Sequence, residues 1–240
     1  MSTVLLIDDN DDLREIFSLF LGMKGHTVHT APGGREAIEL LNTVNPDIIL
    51  LDIMMPGMDG WETLCAIKKN PVTRHLPVSM CSGKIPDIEE VNRYGRYIED
   101  YLVKPQELSE LSTILVSITE RYLKQRAETD HLKKEIPDHH LIDEFYHYQK
   151  KLYILEKFSR FFTTDPKKTE SMIQRYKARM YEIRDTLNHP VLSQTLEPQP
   201  EKLSVQHDAG TPDTQGIREP EAAPENLSKW QLNFSQGTSK

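Results

Sequence analysis

Five short apolar runs, rich in β-branched residues, alternate with stretches of helical period along the first half of the chain. The runs are Val4–Ile7, Thr27–Ala31, Ile48–Leu51, Val78–Cys81 and Tyr101–Val103. Near-continuous apolar strands are typical of a parallel sheet that is buried between layers of helices. Because the helical stretches follow the runs in turn, the pattern predicts an α/β fold, (βα)5, with a doubly wound five-stranded parallel sheet.

The last helix of this unit is predicted to be unusually long. A spacing of three and four continues from Leu108 to Ile136 and is apolar except at Gln125 and Thr129, which weaken the seam, and Pro137 follows. Two alternatives stay open. Either residues 108–118 cover the sheet and the rest frays, or the helix protrudes and pairs with a partner helix.

Two more amphipathic helices are predicted after Pro137. They cover Leu141–Phe162 and Ile173–Leu187, and Asp165 is the predicted cap of the second. A helical hairpin of this length cannot bury its apolar faces alone. It therefore requires the long preceding helix, a second copy of the chain or another protein.

The composition changes after Pro190 to Pro, Gln, Glu, Ser, Thr and Gly, without a periodic apolar pattern. Such segments lack the apolar surface that a core needs, so Val191–Lys240 is predicted to be disordered. Within it, Trp230, Leu232 and Phe234 are either a short docking motif or incidental composition. The predicted organisation is a sheet domain over residues 1–122, a helical extension over 123–190 and a tail over 191–240.

The bulk properties exclude several classes of protein. A formal net charge of −8 disfavours general nucleic-acid binding, which requires a dense basic face. Cys65 and Cys81 lack metal-ligand spacing and are expected to be free thiols in a reducing compartment. Because we find neither a signal peptide nor an apolar run of the ~18 residues that a membrane span needs, we expect a cytoplasmic protein.

Charged side chains are concentrated where strands end. Asp8 and Asp9 close the first strand, Asp52 closes the third and Lys104 closes the fifth, while Ser82 closes the fourth. Ligands bind beyond the carboxyl ends of the strands in doubly wound sheets, so these side chains should converge. Three carboxylates at one edge repel each other unless a cation lies among them, and oxygen ligands of this type suit Mg²⁺.

These motifs together resemble the response-regulator receiver family of two-component signal transduction. The resemblance rests on Asp8-Asp9, residues 51–60 (LDIMMPGMDG), Ser82-Gly83 and residues 100–105 (DYLVKP), and covers about half the chain. It implies a flavodoxin-like receiver of the chemotaxis-regulator type over 1–122, without a recognised output domain.

The family's functional residues carry over position by position. Asp52 would be the phospho-acceptor, and Ser82 and Lys104 would contact the phosphoryl group. The metal ligands would be Asp8, Asp9, Asp52 and the backbone carbonyl of Met54, holding Mg²⁺. The donor would be a sensor histidine kinase or a phosphotransfer protein, and water would later hydrolyse the acyl phosphate.

The resemblance also implies a switch. The Ser82 hydroxyl is drawn to the phosphoryl group, and an aromatic residue on the fifth strand, here Tyr101, turns inward. This chain has Tyr97-Ile98 where the family usually has Gly-Ala. The output surface is therefore atypical, and its extra aromatics either bury the following helical segment or form a docking surface.

The favoured function is a phosphorylation-gated interaction with an unknown downstream protein or a second copy. Enzymatic activity beyond self-dephosphorylation is not expected, because the tail cannot supply a catalytic domain. A transcription factor is the first alternative, although the apolar stripe within Lys167–Leu187 argues against a base-reading helix. A phosphotransfer module is the second, with His131, His139, His140 and His147 as candidates, but surface histidines are the simpler interpretation.

Overall fold

The computed structural model describes residues 1–104, 108–162 and 166–195, and the side chains up to residue 192. Pro105, the predicted cap at Asp165 and the predicted tail from residue 196 onward, with Trp230, Leu232 and Phe234, lie outside the described residues. In the part of the chain that is described, no helix combines the length and the apolar character needed to cross a membrane.

Five parallel strands form one sheet in the order β2-β1-β3-β4-β5. The strands are β1 (Thr3–Ile7), β2 (Thr27–Ala31), β3 (Ile48–Leu51), β4 (Val78–Ser82) and β5 (Asp100–Val103). Each lies within one residue of its predicted bounds. All residues of β3 and β4 are buried, as expected for central strands that are covered on both faces. The predicted five-stranded, flavodoxin-like receiver fold is confirmed.

Four helices follow the first four strands: α1 (Asp11–Met23), α2 (Gly34–Leu40), α3 (Gly60–Lys69) and α4 (Ile88–Tyr94). The side chain of Asn10 caps α1 by accepting a hydrogen bond from the amide of Leu13. Asp59 and Glu62 form a capping box at the start of α3, and Asp87 and Glu90 form one at the start of α4. A 3₁₀ turn, Gly95–Tyr97, joins α4 to β5.

Four further helices follow β5 in the described residues. They are α5 (Leu108–Glu135), α6 (His139–Phe158), α7 (Pro166–Leu187) and α8 (Pro190–Thr195), with a 3₁₀ turn at Ser159–Phe161. Helix α5 is continuous through residue 122, so the receiver and the extension share one helix. The described residues of receiver and extension form one compact unit.

The distal half of α5 packs within this chain. Leu132 is fully buried and belongs to the same apolar cluster as Ile142 and Phe145 of α6 and Ile183 of α7. The distal half of α5 is therefore neither frayed nor protruding. The partner helices of α5 are the ones that follow it in sequence.

The hairpin formed by α6 and α7 packs against the receiver. Helix α6 contacts α4, the Gly95–Tyr97 turn and α5, while Tyr176 of α7 donates a hydrogen bond to Asn92 of α4 at 2.6 Å. An amphipathic hairpin is stable only when its apolar stripe is covered. The receiver face formed by α4, β5 and α5 supplies that cover.

The predicted tail begins too early. Residues 190–195 form α8, and the side chain of Leu192 is fully buried in the hairpin's apolar cluster. Asn188 adopts a left-handed conformation with φ of 45° and ends α7, after which Pro190 begins the new helix. Because one apolar residue in a polar segment gives no periodic signal, composition alone missed this turn.

Leu132→Ala tests whether the end of α5 is part of the core. Because Leu132 is 0% exposed, we expect a loss of about 2–5 kcal/mol in the free energy of unfolding. Leu123→Ala on the same helix is the control, since Leu123 is 55% exposed and its loss should change stability by less than about 0.5 kcal/mol. Urea denaturation of both variants measures the difference, and equal effects would contradict the packing.

Candidate functional site: an acidic cluster at the carboxyl edge of the sheet

Three carboxylates meet at the carboxyl edge of the central strands. Asp8 follows β1 and Asp52 follows β3, and the ladder continues past both strand ends because the amide of Asp52 donates to the carbonyl of Ile7 at 2.8 Å. Each of Asp8, Asp9 and Asp52 offers a carboxylate oxygen, and these atoms all lie within 4.8 Å of one another. Asp8 and Asp52 are buried, and Asp9 is exposed.

The loop after Asp52 is held close to the strand by two glycines. Gly57 has φ of +80°, a conformation that favours glycine. Gly60, the first residue of α3, lies so near the backbone of Asp52 that a Cβ atom there would be 2.1 Å from its carbonyl oxygen. Only glycine permits this approach, and it fixes the turn that carries Asp52 and Met54.

Lys104 reaches the carboxylates from β5. Its backbone amide donates to the carbonyl of Ser82 at 2.8 Å, and its Nζ lies 2.5 Å from Oδ2 of Asp8 and 3.4 Å from Oδ1 of Asp52. Burial lowers the pKa of Lys104, but the hydrogen bond to Asp8 and the charge of Asp52 raise it by more, so the net shift is upward. The ammonium group therefore stays charged between the two buried carboxylates.

The cluster retains excess negative charge. Burial raises the pKa of Asp8, and the hydrogen bond from Lys104 offsets only part of that rise. One ammonium group faces three carboxylates, and mutual repulsion of the carboxylates favours a further cation. Carboxylate and carbonyl oxygens are the ligands that Mg²⁺ prefers, so Asp8, Asp9 and Asp52 fit the predicted magnesium site. The carbonyl of Met54 as a ligand stays a prediction, and Met54 lies in the loop directly after Asp52.

Ser82 and Tyr101 lie behind the cluster and contact each other. Ser82 is fully buried at the end of β4, and burial raises the pKa of the Tyr101 phenol while a hydrogen bond with Ser82 lowers it in part. The Tyr101 hydroxyl also donates to the carbonyl of Lys84 in the loop after β4, at 2.6 Å. The Tyr101 side chain is therefore turned inward and joined to the same loop that carries Ser82.

Helix α6 covers Tyr101 from the outside. The ring of Phe158 packs edge-on against the ring of Tyr101, with centroids 5.5 Å apart. Phe158 is the last residue of α6, and it was not singled out from the sequence. The predicted alternatives for the extra aromatics are decided in favour of burial by the following helices, since Tyr94 and Tyr97 pack against the same apolar cluster.

Two buried acidic residues of the receiver take their partners from the extension. Lys157 Nζ lies 2.6 Å from Oδ1 of Asp100, and the Tyr153 hydroxyl donates to Oδ2 of Asp100 at 3.0 Å. Lys150 forms an ion pair with Glu99. These α6 residues were missed by sequence reasoning, although their spacing of three and seven along one helix face could have indicated a common partner.

The remaining candidates are separate from the cluster. His131, His139, His140 and His147 are all exposed on α5 and α6. His131 lies 3.3 Å from the carboxylate of Glu135, and His139 lies 2.8 Å from the carbonyl of Lys133. Cys65 and Cys81 are free thiols, as predicted, and burial raises the pKa of Cys81 to about 12.

Comparison with known proteins finds matches to the first half of the chain. Residues 4–116 match the family described as response regulator receiver domain. The chain is 38% identical over 105 residues to the transcriptional regulatory protein AfsQ1 of Streptomyces coelicolor, covering 44% of this chain and 45% of the relative. It is 31% identical over 137 residues to the regulatory protein AtoC of Escherichia coli, covering 57% of this chain and 27% of the relative. The chain thus spans less than half the length of either.

Among solved structures, the N-terminal domain of a response regulator receiver protein from Methanoculleus marisnigri is 44% identical. The match covers 48% of this chain and 94% of that one, with a TM-score of 0.43. Residues 4–116 of this chain are a response-regulator receiver domain, and the helices that follow it lie beyond the family match.

Magnesium binding should depend on the carboxylate cluster. We expect Asp9→Asn to weaken Mg²⁺ binding by about tenfold or more, because it removes one charged ligand. Asp12→Asn is the control, since Asp12 lies in the first turn of α1 outside the cluster. Isothermal titration calorimetry with MgCl₂ measures both, and equal affinities for the two variants would contradict the site.

Proposed function

We propose that this chain is a response regulator that accepts a phosphoryl group on Asp52 from a histidine kinase or a phosphotransfer protein. The observation that carries the proposal is the grouping of Asp8, Asp9, Asp52 and Lys104 at one sheet edge within the matched domain. A buried carboxylate beside a lysine and two further carboxylates suits an acceptor that works with Mg²⁺. Such a site serves signalling rather than turnover of an external substrate.

The transfer uses the Asp52 carboxylate as nucleophile. Its oxygen forms a bond to phosphorus while the bond from phosphorus to the imidazole nitrogen of the donor breaks, and the electron pair leaves with that nitrogen. Lys104 stabilises the negative charge of the transferring oxygens. Bound Mg²⁺, held by Asp8, Asp9 and Asp52, would supply further neutralisation of that charge. Water later attacks the acyl phosphate and restores the carboxylate.

The output is proposed to pass through Tyr101 to the hairpin. The Ser82 hydroxyl would donate a hydrogen bond to an oxygen of the new phosphoryl group, and Ser82 already contacts Tyr101. Tyr101 in turn packs on Phe158 of α6. A change in the loop after β4 therefore alters the surface on which the hairpin sits.

The docked hairpin and phosphorylation should favour each other. The resemblance to receivers implies that the aromatic of β5 turns inward when the domain is phosphorylated, and Tyr101 is held inward beneath Phe158. Two events that stabilise the same conformation are thermodynamically coupled in both directions. Phosphorylation would then strengthen hairpin docking and present α4, α6 and α7 as one surface to a downstream protein or a second copy.

Transcriptional control is the second candidate, because one curated relative is named a transcriptional regulatory protein. Against it, the apolar stripe of α7 is buried: Ile173, Tyr176 and Met180 all lie in the core. A recognition helix needs a free polar face with an excess of basic residues. Sequence-specific DNA binding in a fluorescence anisotropy assay would favour this candidate instead.

The free thiols agree with the proposed cytoplasmic location.

Phosphorylation at Asp52 is tested with acetyl phosphate and MgCl₂ as the donor system. We expect a phosphorylated species on phosphate-affinity gels that is lost on treatment with hydroxylamine and absent in Asp52→Asn. Asp143→Asn is the matched control, because Asp143 lies on α6 and pairs with Lys133. If Asp52→Asn is phosphorylated as fully as the control, Asp52 is not the acceptor.

Phe158→Ala tests the coupling through Tyr101. The side chain of Phe158 is 4% exposed and packs against Tyr101. We therefore expect Phe158→Ala to weaken the binding of beryllofluoride, which stands in for the phosphoryl group, by about fivefold or more. Phe161→Ala is the control, since Phe161 is 44% exposed, and it should bind like the unmodified chain.

Circular dichroism establishes that both phenylalanine variants remain folded before affinities are compared. Unchanged beryllofluoride affinity in a folded Phe158→Ala would show that the hairpin and the acceptor site act independently.

A further inference from the structure

A second site lies at the opposite edge of the sheet from Asp52. A cleft of about 420 Å³ is bounded by the loop before β4, the turn before β5, α5 and α6. This volume is in the range of small-molecule pockets. Its walls come from both the receiver and the helical extension, so the cleft exists only while the two are packed together.

The lining of the cleft is basic, although the chain as a whole carries a net charge of −8. Lysine and arginine side chains surround it: Lys68, Arg74, Arg96, Arg126, Lys133 and Lys150. The acidic side chains of the lining are Glu99, Asp130 and Asp143. Cations thus exceed carboxylates in this one region of an acidic protein.

The arginines provide the unneutralised charge. Lys133 pairs with Asp143 at 2.6 Å, and Lys150 pairs with Glu99. Within the described ranges, Arg74, Arg96 and Arg126 form no ion pair with a carboxylate. The guanidinium of Arg96 lies over the ring of Tyr97, 4.5 Å from its centroid, which holds it at the cleft.

Two lysines at or beside the cleft have lowered pKa values. Burial is the main cause for Lys68, whose pKa falls to about 8, while Glu99 opposes the fall and Lys150 adds a smaller contribution to it. Burial lowers the pKa of Lys151, and Arg96 is the next cause. Cations that repel one another across a cleft are stabilised by a bound anion.

The walls of the cleft are preformed. Lys68 Nζ donates to the carbonyl of Leu76 at 2.6 Å and thereby ties the end of α3 to the loop before β4. The Tyr122 hydroxyl donates to the carbonyl of His75, which joins the same loop to α5. Because the site is already ordered, little conformational entropy is lost when a ligand binds.

We propose that this cleft binds a small phosphorylated anion that carries at least two negative charges. Planar guanidinium groups match phosphate oxygens in a bidentate geometry, which favours phosphate over a single carboxylate. The limited volume of the cleft and the net negative charge of the chain favour a small molecule over nucleic acid.

The site would give the protein a second input. A ligand that touches α5, α6 and the receiver loops binds only the docked hairpin and therefore stabilises it. This regulatory consequence rests on the proposed output through the hairpin. Binding itself does not depend on Asp52.

The test uses the full chain with pyrophosphate and ATP as probes, in EDTA so that the carboxylate cluster cannot bind them through Mg²⁺. We expect saturable one-to-one binding by calorimetry, weakened by about tenfold or more in Arg96→Glu and in Arg126→Glu. Arg160→Glu is the charge-matched control, because Arg160 is exposed at the end of α6 outside the cleft, and it should bind normally. Arg126→Gln, with its smaller change, keeps the test valid if a charge reversal unfolds the protein.

Asp52→Asn separates this site from the acceptor site. Unchanged binding in Asp52→Asn would exclude the acceptor site as the place where the probe binds, and altered binding in either direction would overturn the proposal. Absence of binding by both probes, or equal weakening in Arg160→Glu and Arg96→Glu, would also overturn it. Tighter binding of duplex DNA than of either probe would indicate that the cleft binds nucleic acid, and would overturn the proposal of a small anion.

Discussion

The carboxylate of Asp100 is 3% exposed, and the described residues that hold it come largely from the helical extension. Lys157, Tyr153 and Arg121 all reach it from α5 and α6. A buried charge without partners costs several kcal/mol, so the receiver face that contains Asp100 is stable only when these helices cover it. The same requirement applies to Glu99, which pairs with Lys150. This pairing of β5 with α6 fixes where the whole hairpin lies.

The position of the hairpin gives the structure two functional ends joined by β5. Lys104 at the carboxyl end of β5 contacts Asp8 and Asp52, while Asp100 at its amino end is held by α6. Tyr101 lies between them and touches both Ser82 and Phe158. In the proposed function, the receiver signals by changing how this covalently attached hairpin is held. The proposed anion cleft lies along the same contact and would act on the same equilibrium.

Much of the receiver could be predicted from the sequence, for physical reasons that are visible in particular residues. Continuous apolar runs such as Ile48–Leu51 specify buried parallel strands, and the carboxyl ends of such strands meet at one edge. The convergence of Asp8, Asp9, Asp52 and Lys104 followed from this rule.

The packing of the extension could not be predicted in the same way. An apolar stripe indicates that a helix needs a partner, but it does not identify the partner, so the long preceding helix, a second copy and another protein all stayed open for α6. Asp100 was interpreted only as part of the receiver motif and Glu99 was not singled out, and their lysine partners lie more than fifty residues away. Helix α8 was missed because only Leu192 and the preceding Pro190 mark it.

Hydrogen–deuterium exchange can show whether phosphorylation of the receiver controls the docking of the α6–α7 hairpin. Amide exchange across residues 139–187 is compared with and without Mg²⁺ and beryllofluoride, in the unmodified chain and in Asp52→Asn. We expect slower exchange in α6 and α7 when beryllofluoride is bound, and no change in Asp52→Asn. If exchange in the hairpin of the unmodified chain stays the same or becomes faster while the β4–α4 loop becomes protected, phosphorylation does not stabilise the docked hairpin.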